Sequence, residues 1–93
     1  NPGIYLDGAS NISINDVTVE APSDTGVVVS QMSNETIHIY PDGLFIQDFG
    51  GGHGLQIASS NNLTFTSEQG GFIVLMNGSD YAIDLADYGE TTD

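Results

Sequence analysis

The 93-residue sequence contains no lysine, no arginine and no cysteine. Without cysteine, disulfide bonds cannot stabilise the fold. No stretch approaches the roughly 18 apolar residues that a membrane helix needs, so membrane insertion is not expected. Without basic side chains, the chain also lacks the lysine and arginine contacts on which binding to nucleic acid depends. These absences exclude disulfide-stabilised, membrane-spanning and nucleic-acid-binding proteins.

Negative charge is abundant in the sequence. Thirteen Asp and Glu residues give a formal net charge of -13, which keeps molecules apart and repels nucleic acids, anionic lipids and polyuronates. A segment excised from a precursor at basic residues would also lack them, and the sequence begins with Asn rather than Met. Together these features predict a mature extracellular or cell-surface protein.

An imperfect repeat accounts for most of the chain. Gly3, Gly26 and Gly54 each precede a short alternating apolar stretch, and a looser copy begins at Gly71. The segments are rich in β-branched residues and show no helical period. Repeats of this length are typical of solenoids. We therefore predict one all-β domain, a short parallel β-solenoid of about four coils near residues 3–25, 26–53, 54–70 and 71–85, with an acidic tail at 86–93. An antiparallel β-sandwich is the alternative.

Stacked coils place equivalent residues above one another, so the repeat also predicts the core. The predicted interior columns are Ile4, Val27, Leu55 and Phe72; Leu6, Val29, Ile57 and Val74; and Ile14, Ile37, Phe65 and Ile83.

Asparagine recurs eight residues after each of the first three repeat glycines, at Asn11, Asn34 and Asn62. One interpretation is an asparagine ladder between coils, with Asp80 in the fourth position, that satisfies backbone groups at the turns. The other is N-glycosylation, because each of these asparagines begins an Asn-x-Ser/Thr sequon. Asn77 also begins a sequon but lies outside the column, which makes it the better glycan candidate.

Acidic residues are concentrated near the end of the chain. The carboxylates of Asp80, Asp84 and Asp87 are ligands of the type that calcium prefers. Their spacing matches no calcium-binding loop, so we expect diffuse counterion association and no cofactor.

Two short motifs carry a family resemblance. Ser-Asn-Ile-Ser-Ile at residues 10–14 and Gly-His-Gly at residues 52–54 resemble the coils of the pectin-lyase-like right-handed parallel β-helix superfamily, in particular polygalacturonases. The resemblance implies Asp24 and His53 as catalytic candidates. Pro2 stands where the family has a catalytic Asp, and its basic uronate-binding motif is absent. A glycosidase needs two carboxylates, so we expect no enzymatic activity.

The ends of a short solenoid suggest its function. Each end exposes unpaired strand edges above an open apolar core, and natural solenoids usually cover these with caps. The first predicted coil begins at residue 3, so we expect a second copy to cover the end. The sequence thus predicts a non-enzymatic structural protein that assembles head to tail into a fibre or surface layer. The alternative is a carbohydrate-binding or carbohydrate-active β-helix domain related to polygalacturonases, with glycans as partners.

Overall fold

The protein is described from a computed structural model, which describes residues 2–20, 23–79 and 81–86. Within these ranges the fold is all-β and contains no helix, hence none long and apolar enough to cross a membrane. The ten strands are β1 (Ile4–Asp7), β2 (Ile12–Ile14), β3 (Val17–Glu20), β4 (Val27–Ser30), β5 (Ser33–Ile39), β6 (Leu44–Gln47), β7 (Leu55–Ala58), β8 (Asn61–Ser67), β9 (Ile73–Met76) and β10 (Ile83–Ala86).

The strands form three parallel sheets that the chain visits in rotation. Their strand orders are β1-β4-β7-β10, β2-β5-β8 and β3-β6-β9, and every strand pair among the described residues is parallel. This arrangement confirms the prediction of an all-β, parallel, solenoid-like fold. The antiparallel β-sandwich alternative is wrong.

Left-handed backbone conformations occur at the corners between the sheets and at the beginnings of β5 and β8. Asn11, Asn34 and Asn62 have φ angles of 56°, 57° and 50°, and Asp48 and Asn77 have φ angles of 55° and 57°. Asparagine and aspartate tolerate this region better than other residues with a Cβ atom. The regular recurrence of asparagine therefore reflects, at least in part, the backbone conformation that the corners require.

The core lies between the three sheets and consists of inward-facing aliphatic side chains. Two columns run through the first sheet, in which successive strands are in register. The columns are Ile4, Val27, Leu55 and Ile83, and Leu6, Val29, Ile57 and Leu85. Of the predicted core residues, the structure buries Ile14, Val27, Val29, Ile37, Leu55 and Ile57, and packs Ile4, Leu6 and Phe65 partly buried against them.

The alignment of residues 71–85 requires correction. The segment Ile73–Met76 pairs with β6 as the third strand of its circuit, whereas the sequence repeat predicted the first strand of a new one. Phe72 is accordingly 40% exposed, and Val74 lies in register with Phe45 on the outward side of the sheet. Ile83 takes the place predicted for Phe72 and is 54% exposed, because no described strand lies beyond β10.

The register of β2 also differs from the prediction. Ile12, not Ile14, lies opposite Ile37, and Ile14 lies opposite Ile39. A shift of two residues preserves the alternation of inward and outward side chains, so the sequence pattern could not reveal it. As a consequence, Asn11 is two residues out of step with Asn34.

Candidate functional site

The described residues bring one polar cluster together at the corner that precedes the first sheet. We call it the His53 corner and define it as Thr25, His53, Gln56, Tyr81 and Asp84. Three equivalent backbone hydrogen bonds position three of these residues. The Gly3 N–H donates to the Thr25 carbonyl oxygen (3.1 Å), the Gly26 N–H to the His53 carbonyl oxygen (2.9 Å) and the Gly54 N–H to the Tyr81 carbonyl oxygen (3.0 Å). Thr25, His53 and Tyr81 therefore occupy equivalent positions on successive circuits.

Two side chains of the His53 corner, those of His53 and Gln56, approach the Asp84 carboxylate. His53 Nε2 lies 3.3 Å from Asp84 Oδ2, and Gln56 Nε2 donates to the same oxygen at 3.4 Å. The imidazole also stacks on the Tyr81 ring, with ring centroids 5.6 Å apart and an interplanar angle of 24°. The corner thus combines an imidazole–carboxylate pair, an amide and a largely exposed aromatic ring.

The two catalytic candidates from the sequence, Asp24 and His53, meet through Thr25. The Thr25 N–H donates to Asp24 Oδ1 at 2.7 Å, and the His53 N–H donates to Thr25 Oγ1 at 3.1 Å. In both hydrogen bonds the donor is a backbone N–H group, that of Thr25 in the first and that of His53 in the second. They show how the two residues are positioned, and they stabilise the turn that leads into the first sheet.

The sequence did not indicate that His53 has partners in this cluster. These partners are Gln56, Tyr81 and Asp84. The signal was a spacing of 28 residues, which separates Gln56 from Asp84 and equally separates His53 from Tyr81. Gly71 conceals this spacing in the last segment, because it precedes an apolar stretch as the repeat glycines do.

The other histidine also pairs with a carboxylate. His38 lies at an outward position of β5, and its Nδ1 is 2.6 Å from Glu68 Oε2. Glu68 follows β8, so the contact links neighbouring strands of the second sheet. The flanking side chains at this level are Ser13 and Thr66, which add no charge to the pair.

The asparagine column is reduced to one pair. Asn62 Nδ2 donates to Asn34 Oδ1 at 2.6 Å, and both side chains are exposed. Asn11 is exposed as well but stands out of register, as described above. Asp80 lies outside the described residues, and Asn77 is exposed.

Of the calcium candidates, Asp84 belongs to the His53 corner, whereas Asp80 and Asp87 lie outside the described residues. In the part of the chain that the structure describes, no three His, Asp or Glu residues are grouped to hold a metal ion.

A second feature of interest is the apolar end of the stack. The inward side chains of β10, Ile83 and Leu85, are 54% and 42% exposed. A cavity of about 220 Å³ opens beside the ends of β8 and β9 and is lined mainly by Ile39, Phe65, Phe72 and Ile73. Both features lie at the strands beyond which no further described strand pairs.

Comparisons of this chain with protein-family models, with curated proteins and with solved structures give no match. The fold and the two surface features above therefore carry the functional argument.

Proposed function

We propose that the chain is a non-enzymatic structural protein that stacks end to end with further copies of itself into a fibre or surface layer. The observation that carries this proposal is the open end of the apolar core. The interior columns continue through the first sheet to Ile83 and Leu85, which remain about half exposed. At the opposite end, Ile4 and Leu6 are only partly buried, and among the described strands β1 pairs with β4 alone.

Backbone hydrogen bonding supports the same conclusion. No described strand pairs with the outer edge of an end strand, and the backbone N–H and C=O groups of such an edge act as a template for another parallel strand. The described strands pass through the three sheets in rotation, and the last of them, β10, returns to the first sheet. A second copy that continued the strand order would bury both the strand edges and the apolar end of the core.

The charge of the chain suits a fibre in an extracellular or cell-surface setting. A net charge of -13 disfavours lateral association of like-charged sides. End-to-end contact between two copies would form backbone hydrogen bonds and bury apolar side chains. Contact between the sides of two copies would do neither. Diffuse cations would moderate the repulsion between copies without a specific site or cofactor.

End-to-end assembly can be tested by comparing two variants, one with a new charge at the apolar end of the stack and one with a new charge on its side. We expect the purified 93-residue chain to form thin fibres in negative-stain electron microscopy and to sediment as a concentration-dependent polymer. Leu85→Asp should abolish the fibres, because it places a charge on the apolar end. Thr36→Asp is the matched control, since Thr36 faces outward on the central strand β5, and should still assemble.

A monomer at every protein concentration, at low and at high salt, would disprove end-to-end stacking. Equal assembly of Leu85→Asp and Thr36→Asp would show that the contact lies elsewhere than at the apolar end.

The alternative function is a carbohydrate-binding or carbohydrate-active domain similar to the pectin-lyase-like β-helices. The observation that favours it is the His53 corner, where the exposed Tyr81 ring adjoins the polar groups of Gln56 and Asp84. Binding or turnover of neutral or uronate oligosaccharides, lost in His53→Ala and in Asp24→Asn, would support this function over assembly.

A further inference from the structure

We propose that Asn77 is a site of spontaneous covalent modification, at which the side-chain amide cyclises onto the Gly78 backbone nitrogen and then hydrolyses to aspartate and isoaspartate. The site lies at the corner after β9. This proposal is independent of end-to-end assembly, because it rests only on the chemistry of one corner.

Three places in the described chain have the residues for such a cyclisation, namely an Asp or Asn followed by Gly. They are Asp7-Gly8, Asp42-Gly43 and Asn77-Gly78. The missing side chain of glycine leaves its nitrogen accessible to the preceding side chain. By sequence alone, all three are candidates.

Hydrogen bonding distinguishes the three sites. The Gly8 N–H donates to the Ser30 carbonyl oxygen at 3.0 Å, and the Gly43 N–H donates to the Tyr40 carbonyl oxygen at 2.9 Å. No described residue accepts a hydrogen bond from the Gly78 N–H. The nitrogen that must attack is therefore engaged at the first two sites and available at the third.

The Asn77 side chain is equally available. It is exposed, and its amide makes no hydrogen bond to any residue that the structure describes. By contrast, Asn15 Oδ1 accepts from the Asp42 N–H, and Asn34 and Asn62 bind each other. Asn77 is thus an exposed amide directly before a glycine whose N–H has no partner in the described chain.

Backbone hydrogen bonds hold both flanks of the corner, whereas no described residue forms one with Asn77 or Gly78. The Met76 carbonyl oxygen accepts from the Asp48 N–H at 3.1 Å, and the Ser79 N–H donates to the Phe49 carbonyl oxygen at 3.0 Å. Only Asn77 and Gly78 lie between these anchors. The reaction therefore requires no break in a described backbone hydrogen bond.

The reaction needs only water as co-reactant. The Gly78 nitrogen forms a bond to Cγ of Asn77, the bond from Cγ to the amide nitrogen breaks, and ammonia leaves with the proton from Gly78. Water then opens the resulting succinimide at either carbonyl carbon, giving aspartate or isoaspartate. Both products add one negative charge at neutral pH and remove the Asn77 sequon.

The isoaspartate product would also alter packing. A Cβ atom on Gly78 would overlap the Phe49 ring, so the Gly78 backbone packs directly against this buried side chain. Isoaspartate adds one methylene group to the backbone immediately before this contact. We therefore expect its formation to displace Gly78 from Phe49.

The test compares the three sites in folded and unfolded protein. The chain is produced in a host without N-glycosylation and incubated with and without denaturant. Mildly alkaline pH is used to follow the loss of ammonia at Asn77, and mildly acidic pH, at which an aspartyl-glycine pair can cyclise with loss of water, is used to follow Asp7 and Asp42. Peptides cut at acidic residues are separated by liquid chromatography, and mass spectrometry quantifies aspartate and isoaspartate at each site. We expect the ratio of the folded-state rate to the unfolded-state rate to be near unity at Asn77 and far lower at Asp7 and Asp42.

Two variants serve as controls. Asn77→Gln should show no conversion at this position, and Ser79→Ala, which removes the sequon but keeps Asn-Gly, should convert as the parent chain does. The proposal is wrong if folded protein keeps the Asn77 amide while unfolded protein loses it, or if the three sites show equal ratios.

Discussion

At the scale of single residues, the recurring asparagines serve the backbone first. Asn34 combines a φ angle of 57° with an exposed side chain that accepts a hydrogen bond from Asn62. A residue with an ordinary Cβ pays about 1–2 kcal/mol in the left-handed region, whereas an exposed amide pair contributes less than a buried one. The left-handed conformation should therefore dominate the cost of replacing Asn34.

Replacing Asn34 in two ways separates these contributions. We expect Asn34→Ala to lower the free energy of unfolding by about 1 kcal/mol, because alanine is strained at this φ angle. Asn34→Gly should remain within about 0.5 kcal/mol of the parent, because glycine adopts the conformation freely. Urea titration measures both, with exposed Ser33→Ala on the same strand as the control. An equal loss in Asn34→Ala and Asn34→Gly would instead attribute the stability to the amide pair.

At the scale of strands, the sequence predicts composition and alternation better than partners. The alternating β-branched segments and the columns from Ile4 to Leu55 and from Leu6 to Ile57 follow directly from the repeat. The error begins where glycine ceases to mark the repeat. Ala82 takes the place that Gly26 and Gly54 occupy on the earlier circuits. The Ala82 carbonyl oxygen accepts a hydrogen bond from the Leu55 N–H, as the Gly54 carbonyl oxygen does from the Val27 N–H.

Gly71 also contributes to the incorrect alignment of the last segment. Gly71 precedes an apolar segment, as the repeat glycines do, yet the segment pairs with β6 in the third sheet. Pairing between strands about 28 residues apart is a nonlocal property, and local alternation does not encode it. The same reason hid the contact of His38 with Glu68 and the assembly of the His53 corner.

At the scale of the whole molecule, charge opposes the compact state. The chain carries thirteen acidic and no basic side chains apart from two histidines, so most carboxylates have no cationic partner to offset their mutual repulsion. Salt shortens the range of this repulsion from about 8 Å at physiological strength to about 3 Å at 1 M. Added salt should therefore stabilise the fold.

Thermal unfolding measures this effect. If screening contributes about 1 kcal/mol, the midpoint Tm rises by about 4–8 °C for a domain of this size. We expect this rise between dilute buffer and 1 M sodium chloride, monitored by circular dichroism at a protein concentration where assembly is constant. An uncharged co-solute at equal osmolality is the control. A Tm that stays constant or falls with salt would show that repulsion does not limit stability.

The rotation of the chain through three parallel sheets has a consequence for how such a protein can change in length. Each strand pairs only with its counterparts on neighbouring circuits, and the two central circuits are related by a spacing of 28 residues. An in-frame gene duplication of one such segment would insert a layer of about 4.8 Å between existing layers and leave both termini of the stack unaltered. The length of the stack can therefore change during evolution in steps of one complete circuit.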